Sequence, residues 1–224
     1  MCKAIDVASW FINNNYNPEN SKESNLKLNK LLYFAQLISL IKREKPLFSE
    51  DLYAFENGVV VEAVRKPFCN DYLNFVETAK GSRINFSNEE LEILNLTKDI
   101  FLGVSPEDLS NLTHEHKSWK EHFKKSKERA CNNYKYNKEE SKICIDDYFS
   151  KFKDDLDLVQ EIVMAKENNN LRDEKVFVIN GTSYYYDPKE LVLNDEIIEE
   201  IKQFPAIEEA YTLYMDESQG LIIF

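Results

Sequence analysis

The chain has 224 residues, of which 43% are hydrophobic and 30% are charged, and its formal net charge is −12. This length and composition are typical of a folded protein and exclude the disordered, low-complexity and collagen-like classes. The apolar stretches are too short to span a bilayer and the N-terminus carries no secretory pattern, so we expect a cytoplasmic protein.

Two helices are predicted in the N-terminal part of the chain. Apolar residues at helical spacing predict the first over residues 4–15, and the Asn-rich stretch before Pro18 ends it. The second is predicted over residues 26–43, with Ser24 or Asn25 as its N-cap. Apolar side chains cover nearly its whole circumference, which is typical of a helix buried at the centre of a domain. We therefore expect this helix to be the hub of the fold.

A short extended region follows the second helix. Residues 51–56 are rich in aromatic residues and extended in character, and Asn57-Gly58 supplies a turn. We expect a small hairpin or an irregular turn here, leading to a helix near residues 62–70.

More helices are predicted between residues 87 and 166. Ser87 begins one with a cap-then-acid pattern, and Ser105-Pro106 begins the next. The run 117–129 carries a local excess of basic residues. A last helix is predicted to begin around Ile143 and to continue to about Lys166.

The hydrophobic periodicity changes after residues 167–170, a turn-rich stretch that is the candidate linker. Asn180-Gly181 between two apolar runs predicts a β-hairpin, because both positions of a type I′ turn need positive φ. A helix-like run is predicted from Asp187-Pro188 to Phe204, followed by a second hairpin over residues 210–224. These patterns predict strands in the last part of the chain.

The predicted fold class is therefore α+β and mainly α-helical. A helical domain around a buried central helix is expected over residues 1–166. A small, acidic, strand-containing module is expected over residues 172–224.

The negative charge is unevenly distributed along the chain. Residues 146–224 hold 19 acidic and 7 basic residues, whereas residues 1–145 are neutral overall. An acidic module repels the nucleic-acid backbone and raises the rate of encounter with basic surfaces, although solubility of a charged surface explains the same pattern. We expect a protein partner with a basic surface, and neither nucleic acid nor a membrane.

No catalytic or metal-binding arrangement is visible in the sequence. His114, His116 and His122 lack the spacing of four that a helical two-histidine metal site uses. The four cysteines form no CxxC pair and are expected to be free thiols, and no glycine-rich phosphate loop is present. We therefore expect no catalytic residues, no metal and no cofactor, and we expect that the protein is not an enzyme.

The basic run 117–129 contains Trp119, His122 and Phe123, so it has the aromatic interleaving of a nucleic-acid-binding stripe. The net charge of the chain argues against this interpretation. The favoured alternative is a basic helix face that packs against the acidic tail of the same chain.

The stretch LKLNKLLYFAQ at residues 26–36 resembles the LKLQKLLYFAQ core of the SocA-like, or Panacea, antitoxin domain. Residues 45–48, residues 52–65, the Leu-Thr-His of residues 112–114 and the helix around residues 145–149 are similar to further elements of that family, in the same order. The sequence departs from the family where its Gly-Pro becomes Gly58-Val59. The residues that carry the resemblance, and that it implies are structural, are Leu28, Lys30, Leu31, Leu32, Tyr33, Gln36, Gly58, His114 and Trp119.

The resemblance implies an antitoxin that binds and neutralises a co-encoded toxin. We hypothesise steric occlusion by the acidic module, with strand alternation placing Tyr185 on the opposite face from its two neighbours. The alternatives are a phage or mobile-element inhibitor of a host defence nuclease, an adaptor that delivers its partner to a protease, and a DNA-binding repressor that uses residues 117–129. The candidate partner-binding residues are Tyr184, Tyr185, Tyr186, Glu199, Glu200, Glu208 and Glu209.

Overall fold

The fold is described by a computed structural model over residues 2–130, 135–171, 175–216 and 220–224. The chain divides into two compact units, Met1–Val163 and Met164–Phe224. Its architecture is α+β and mainly helical, as predicted. Among the described residues, no helix combines the length and the apolar character needed to cross a bilayer.

The first unit is built from helices around one small sheet. The sheet has the strand order β2-β1-β3, and both pairings are antiparallel. Two short 3₁₀ turns, Glu139–Ser141 and Asp146–Phe149, flank its third strand. The elements are α1 (Ala4–Asn13), α2 (Lys22–Arg43), β1 (Leu52–Phe55), β2 (Gly58–Val61), α3 (Glu62–Asn70), α4 (Tyr72–Gly81), α5 (Asn88–Phe101), α6 (Pro106–Glu115), α7 (Lys117–Glu128), β3 (Lys142–Ile143) and α8 (Lys153–Leu171), whose residues after Val163 belong to the second unit.

The helix α2 is the centre of the first unit, as its sequence predicts. Every residue from 28 to 40 is buried, because the apolar side chains on all sides of the helix pack against the surrounding elements. The helix begins one turn earlier than predicted. Its N-cap is Ser21, whose hydroxyl oxygen accepts a hydrogen bond from the Ser24 backbone N–H at 3.1 Å, so Ser24 lies inside the helix.

Two predictions for residues 143–170 are wrong. Ile143 does not begin a helix but lies in β3, where it pairs with Leu52 and is 1% exposed. The helix α8 begins only at Lys153. It then continues to Leu171. Residues 167–170 are therefore helical and do not form the turn-rich linker that the sequence predicted.

The second unit is a four-stranded sheet with one helix. The strand order is β4-β5-β6-β7, in which β5 and β6 are parallel and the outer pairs are antiparallel. The helix lies in the connection between the two parallel strands, which is the usual way to join such a pair. The elements are β4 (Lys175–Ile179), β5 (Thr182–Tyr186), α9 (Asp195–Gln203), β6 (Ala210–Asp216) and β7 (Gly220–Ile223).

Both hairpins predicted for this unit are present. Asn180 and Gly181 have φ of 53° and 88°, the positive values that a type I′ turn requires. The turn of the second hairpin, residues 217–219, lies outside the described residues. The helix begins later than predicted, because the side chain of Asn194 caps it by accepting from the Ile197 N–H at 2.9 Å, whereas Pro188 lies in a turn.

Candidate functional site

Three elements of the first unit meet beneath the turn between β1 and β2. Lys30 of α2 is 0% exposed, and its Nζ donates a hydrogen bond to the carbonyl oxygen of Val59 at 3.0 Å. Gly58 has a φ of +93°, and a Cβ atom added to it would lie 2.3 Å from Nζ of Lys30 and 3.1 Å from Cβ of Thr113 in α6. The glycine therefore provides the space that the lysine side chain occupies.

Burial determines the chemistry of Lys30. It lowers the pKa of the ammonium group to about 7, because the charged form loses its hydration inside the unit. A neutral amine is a nucleophile, but this one is enclosed by protein. Its hydrogen bond joins α2 to β2, so the residue acts as a structural tie.

The histidine and tryptophan of the family pattern pack on each other at the same turn. The rings of His114 and Trp119 stack with centroids 4.1 Å apart. The indole Nε1 of Trp119 donates to the carbonyl oxygen of Phe55 at 2.7 Å, which fixes α7 to β1. Burial and the positive charge of Lys30 lower the pKa of His114, so this imidazole is held in its neutral form.

A second buried polar network lies along α2. The hydroxyl of Tyr33 is 2.6 Å from Nδ1 of His116 and 3.1 Å from the hydroxyl of Tyr148, which is in turn 3.0 Å from the hydroxyl of Ser118. Burial lowers the pKa of His116 to about 4 and raises the pKa of Tyr33. These groups remain uncharged at neutral pH and hydrogen-bond to one another, so they link three segments of the unit.

Asp155 of α8 has a structural role that the sequence did not reveal. Its carboxylate is 1% exposed and accepts hydrogen bonds from the backbone N–H groups of Lys117 at 2.7 Å and Ser118 at 2.9 Å. These N–H groups belong to the first turn of α7, where no helical acceptor exists for them. Asp155 thus caps α7 from another helix.

Replacing Asp155 by alanine is expected to lower the free energy of unfolding by about 3 kcal/mol, because two buried donors lose their charged acceptor. Urea denaturation followed by tryptophan fluorescence measures this, since Trp10 and Trp119 both lie in the first unit. The control is Asp157→Ala, which removes an exposed carboxylate from the same helix and is expected to change the stability by less than about 0.5 kcal/mol. Equal effects of the two substitutions would contradict the capping role.

The remaining residues of the family pattern are also internal. The side-chain amide of Gln36 donates to the carbonyl oxygen of Phe48 at 3.0 Å and accepts from the N–H groups of Leu47 and Phe48 at 2.9 and 3.1 Å. It therefore holds the segment that follows α2. The aliphatic residues of the pattern are completely buried; they are Leu28, Leu31 and Leu32.

A groove of about 580 Å³ opens beside the same turn. Its walls come from the first part of α2, from β1 and its turn, and from α3, and they include Leu26, Phe55 and Phe68. The amides of Asn25 and Asn29 in its wall are hydrogen-bonded to each other at 2.7 Å. The groove is thus a recess whose wall combines apolar side chains with polar ones, of which Asn25 and Asn29 are partners of each other.

Some of the basic residues in and directly after α7 pair with acids of the first unit. Lys120 lies 3.0 Å from Glu115, Lys124 lies 3.8 Å from Glu128, and Arg129, which follows the helix, pairs with Glu140. The aromatic side chains of this helix are not free for stacking with bases, because Trp119 and Phe123 stack on each other with centroids 4.9 Å apart. The arrangement does not support a nucleic-acid-binding stripe.

The three consecutive tyrosines of β5 have different environments. Tyr184 is 2% exposed and stacks between Phe177 and Tyr211, so it is a core residue of the second unit and not the partner contact that the sequence suggested. Tyr186 is half-buried on the same side of the sheet. Tyr185 is 40% exposed and points to the opposite face, as the alternation of the strand predicts.

The candidate glutamates are exposed but lie in two separate places of the second unit. Glu199 and Glu200 are on α9, and Glu199 pairs with Lys202 of the same helix at 2.7 Å. Glu208 and Glu209 directly precede β6. The backbone carbonyl of Glu209 accepts from the N–H of Ser183 at 2.9 Å, which places this pair at one end of the sheet.

In the part of the chain that the structure describes, no group of three or more histidine, cysteine, aspartate or glutamate side chains is arranged to hold a metal ion. Cys2, Cys69 and Cys144 are free thiols, while Cys131 lies outside the described residues.

Residues 28–120 match the family described as "Antitoxin SocA-like, Panacea domain". The resemblance seen in the sequence is thereby confirmed, and the matched segment contains all nine buried or half-buried residues of the family pattern. None of the curated proteins and none of the solved structures matches the chain.

Proposed function

We propose that this chain, in which residues 28–120 carry a SocA-like Panacea antitoxin domain, neutralises a toxin by binding it directly and covering the surface with which the toxin acts. The observation that carries the proposal is the match of this segment to an antitoxin family. The match supports an antitoxin-family role, and the inhibition by occlusion is our inference.

The interior of the first unit supports a scaffold rather than a reaction centre. The titratable side chains of the family pattern are held by hydrogen bonds or stacking, and Lys30 is fully enclosed. A catalytic group must reach its substrate, and the side chain of Lys30 is completely buried. We therefore place the activity of the protein in binding, with the polar networks of α2 keeping the binding surfaces in a fixed geometry.

The charge of the second unit supports a basic partner. Residues 164–224 include 13 acidic and 5 basic residues, and Glu208, Glu209, Glu199 and Glu200 are exposed. An acidic surface accelerates encounter with a basic one and adds specificity to the contact. We place the toxin contact on this unit, with Tyr185 among its exposed aromatic residues.

The same acidic surface favours a second candidate, an inhibitor of a defence nuclease that occupies the site for nucleic acid. The two candidates differ in the partner and not in the chemistry of this chain. Competition with duplex DNA separates the two candidates. The DNA is expected to displace this chain from a nuclease whose nucleic-acid site the chain occupies. The same DNA is expected to have no effect on a complex between this chain and a toxin that does not bind DNA.

Growth of cells that express the co-encoded toxin tests the proposal. The full chain is expected to restore growth, and the charge reversal Glu208→Lys with Glu209→Lys is expected to weaken binding about tenfold or more and to reduce the rescue. The matched control is Glu77→Lys with Glu92→Lys, which makes the same change of charge at exposed positions of the first unit. Failure of the full chain to restore growth contradicts the proposed function. A fall in toxin abundance instead of inhibition would assign delivery to a protease.

A further inference from the structure

The sheet of the second unit has one covered face and one open face. Side chains on the covered face, among them Tyr184, Tyr211 and Leu213, form the core of the unit with Ile197 and Ile201 of α9. Since successive residues of a strand point to opposite faces, the residues between them point away from this core.

The open face carries apolar side chains on each of the four strands, beside the polar Ser183 and Thr212. Val176 pairs with Tyr185, Tyr185 pairs with Thr212, and Thr212 exchanges two backbone hydrogen bonds with Phe224. These four residues form a row that crosses the sheet from one edge to the other. Tyr214, two residues after Thr212 in β6, points to the same face. Its ring meets that of Phe224 edge to face, with ring centroids 5.6 Å apart.

The side chains of this face are widely exposed. Val176 is 54% exposed, Val178 63%, and Phe224 66%. Single exposed apolar residues are common on protein surfaces, but a contiguous group of them marks an interaction surface. We define the open sheet face by Val176, Val178, Tyr185, Tyr214 and Phe224.

We propose that the open sheet face is the apolar centre of the toxin-binding surface, and that the partner presents an apolar patch surrounded by basic residues. This inference rests on the proposed function and names the contact that performs it. Protein–protein interfaces have an apolar centre that is enriched in aromatic residues and a polar rim. Glu208 and Glu209 supply an acidic part of the rim at one end of the sheet.

Charge decides between a partner and a second copy of the chain. Two copies that meet through this face bring together two units that each carry 13 acidic and 5 basic residues, and like charges at an interface oppose association. A basic protein has the complementary charge. The occupant is therefore a basic partner and not a second copy.

The test measures the affinity of the full chain for the purified co-encoded toxin. We expect Val178→Ser combined with Phe224→Ser to weaken binding by about thirtyfold or more, the effect of losing apolar residues at the centre of an interface. The matched control is Leu73→Ser combined with Val192→Ser, since these side chains are 72% and 77% exposed but lie outside the open sheet face and away from Glu208 and Glu209. The control is expected to bind like the unmodified chain, to within about twofold.

Folding of the variants is checked by circular dichroism, and Val178→Thr provides a second variant that keeps the β-branched shape and the strand preference. We expect this variant to weaken binding by an intermediate factor. If the unmodified chain binds the toxin and the face variants bind equally well, the inference is wrong and the proposed function stands. If the unmodified chain does not bind, both fail. A dimer in sedimentation that the face variants dissociate would assign the face to a second copy and overturn the inference.

Discussion

Alanine in place of Gly58 is expected to lower the free energy of unfolding of the first unit by about 3 kcal/mol or more. The φ of +93° costs an L-residue about 1 to 2 kcal/mol. The added Cβ atom also meets Nζ of Lys30 and Cβ of Thr113 within a closed core, where overpacking costs about 1 to 3 kcal/mol more. Urea denaturation followed by tryptophan fluorescence reports this change.

Gly103→Ala is the control for this prediction. Nothing lies within 4 Å of a Cβ atom at Gly103, and its φ is not positive, so its effect is expected to be below about 0.5 kcal/mol. In a Lys30→Ala background the cost of Gly58→Ala is expected to fall to the backbone strain and the close contact with Cβ of Thr113. A cost that is the same in both backgrounds would contradict the packing of Lys30 against the glycine.

Methionine in place of Lys30 is expected to stabilise the first unit at neutral pH and to remove part of its pH dependence. The buried lysine has a pKa of about 7, whereas the unfolded chain holds its proton up to about 10.5. Between these values the unfolded state binds more protons, so stability rises with pH. Deprotonation of Lys30 in the folded state accounts for an increase of about 3 kcal/mol in the free energy of unfolding between pH 7 and pH 9.5. The variant lacks this rise but loses one hydrogen bond to Val59.

The measurement is the difference in free energy of unfolding between the unmodified chain and the variant, determined at several pH values. The difference is expected to favour the variant most at pH 7 and to shrink as the pH rises. Lys22→Met, which removes an exposed lysine from the same helix, provides the control for loss of a positive charge. A difference that is independent of pH would show that Lys30 keeps its charge inside the protein.

Much of the fold could be predicted because local patterns determine it. The apolar circumference of α2 predicts a buried hub, and Asn180-Gly181 predicts a hairpin because few other residues accept positive φ. Ile143 shows the limit of such patterns, since a short apolar alternation fits a helix and a strand equally well. Its pairing with Leu52, far away in sequence, decided the outcome.

The buried polar residues could not be predicted from local patterns. A lysine within an apolar helix normally extends its charged end to water, and only the missing side chain of Gly58 makes room for Lys30 inside the core. Asp155 lies in an acidic run that resembles a solvated helix face, and its partners are backbone groups near residue 117. Contacts between distant segments determine the role of both residues.

The two faces of β5 could be predicted from the sequence. Strand alternation separates Tyr185 from Tyr184 and Tyr186, as observed. The alternation does not say which side is covered, because the position of α9 decides that. The sequence alone therefore does not identify Val176, Val178 and Phe224 as surface residues. Their exposure follows from two facts together: the strand pairing puts them on the same face as Tyr185, and α9 covers the other face.

The most direct test of direct neutralisation is a calorimetric titration of the full chain into the purified co-encoded toxin, with toxin activity measured at each point. We expect saturable binding that weakens as the salt concentration rises, and toxin activity that falls in proportion to the fraction bound. No complex at micromolar concentrations, or full toxin activity at saturation, would contradict neutralisation by occlusion.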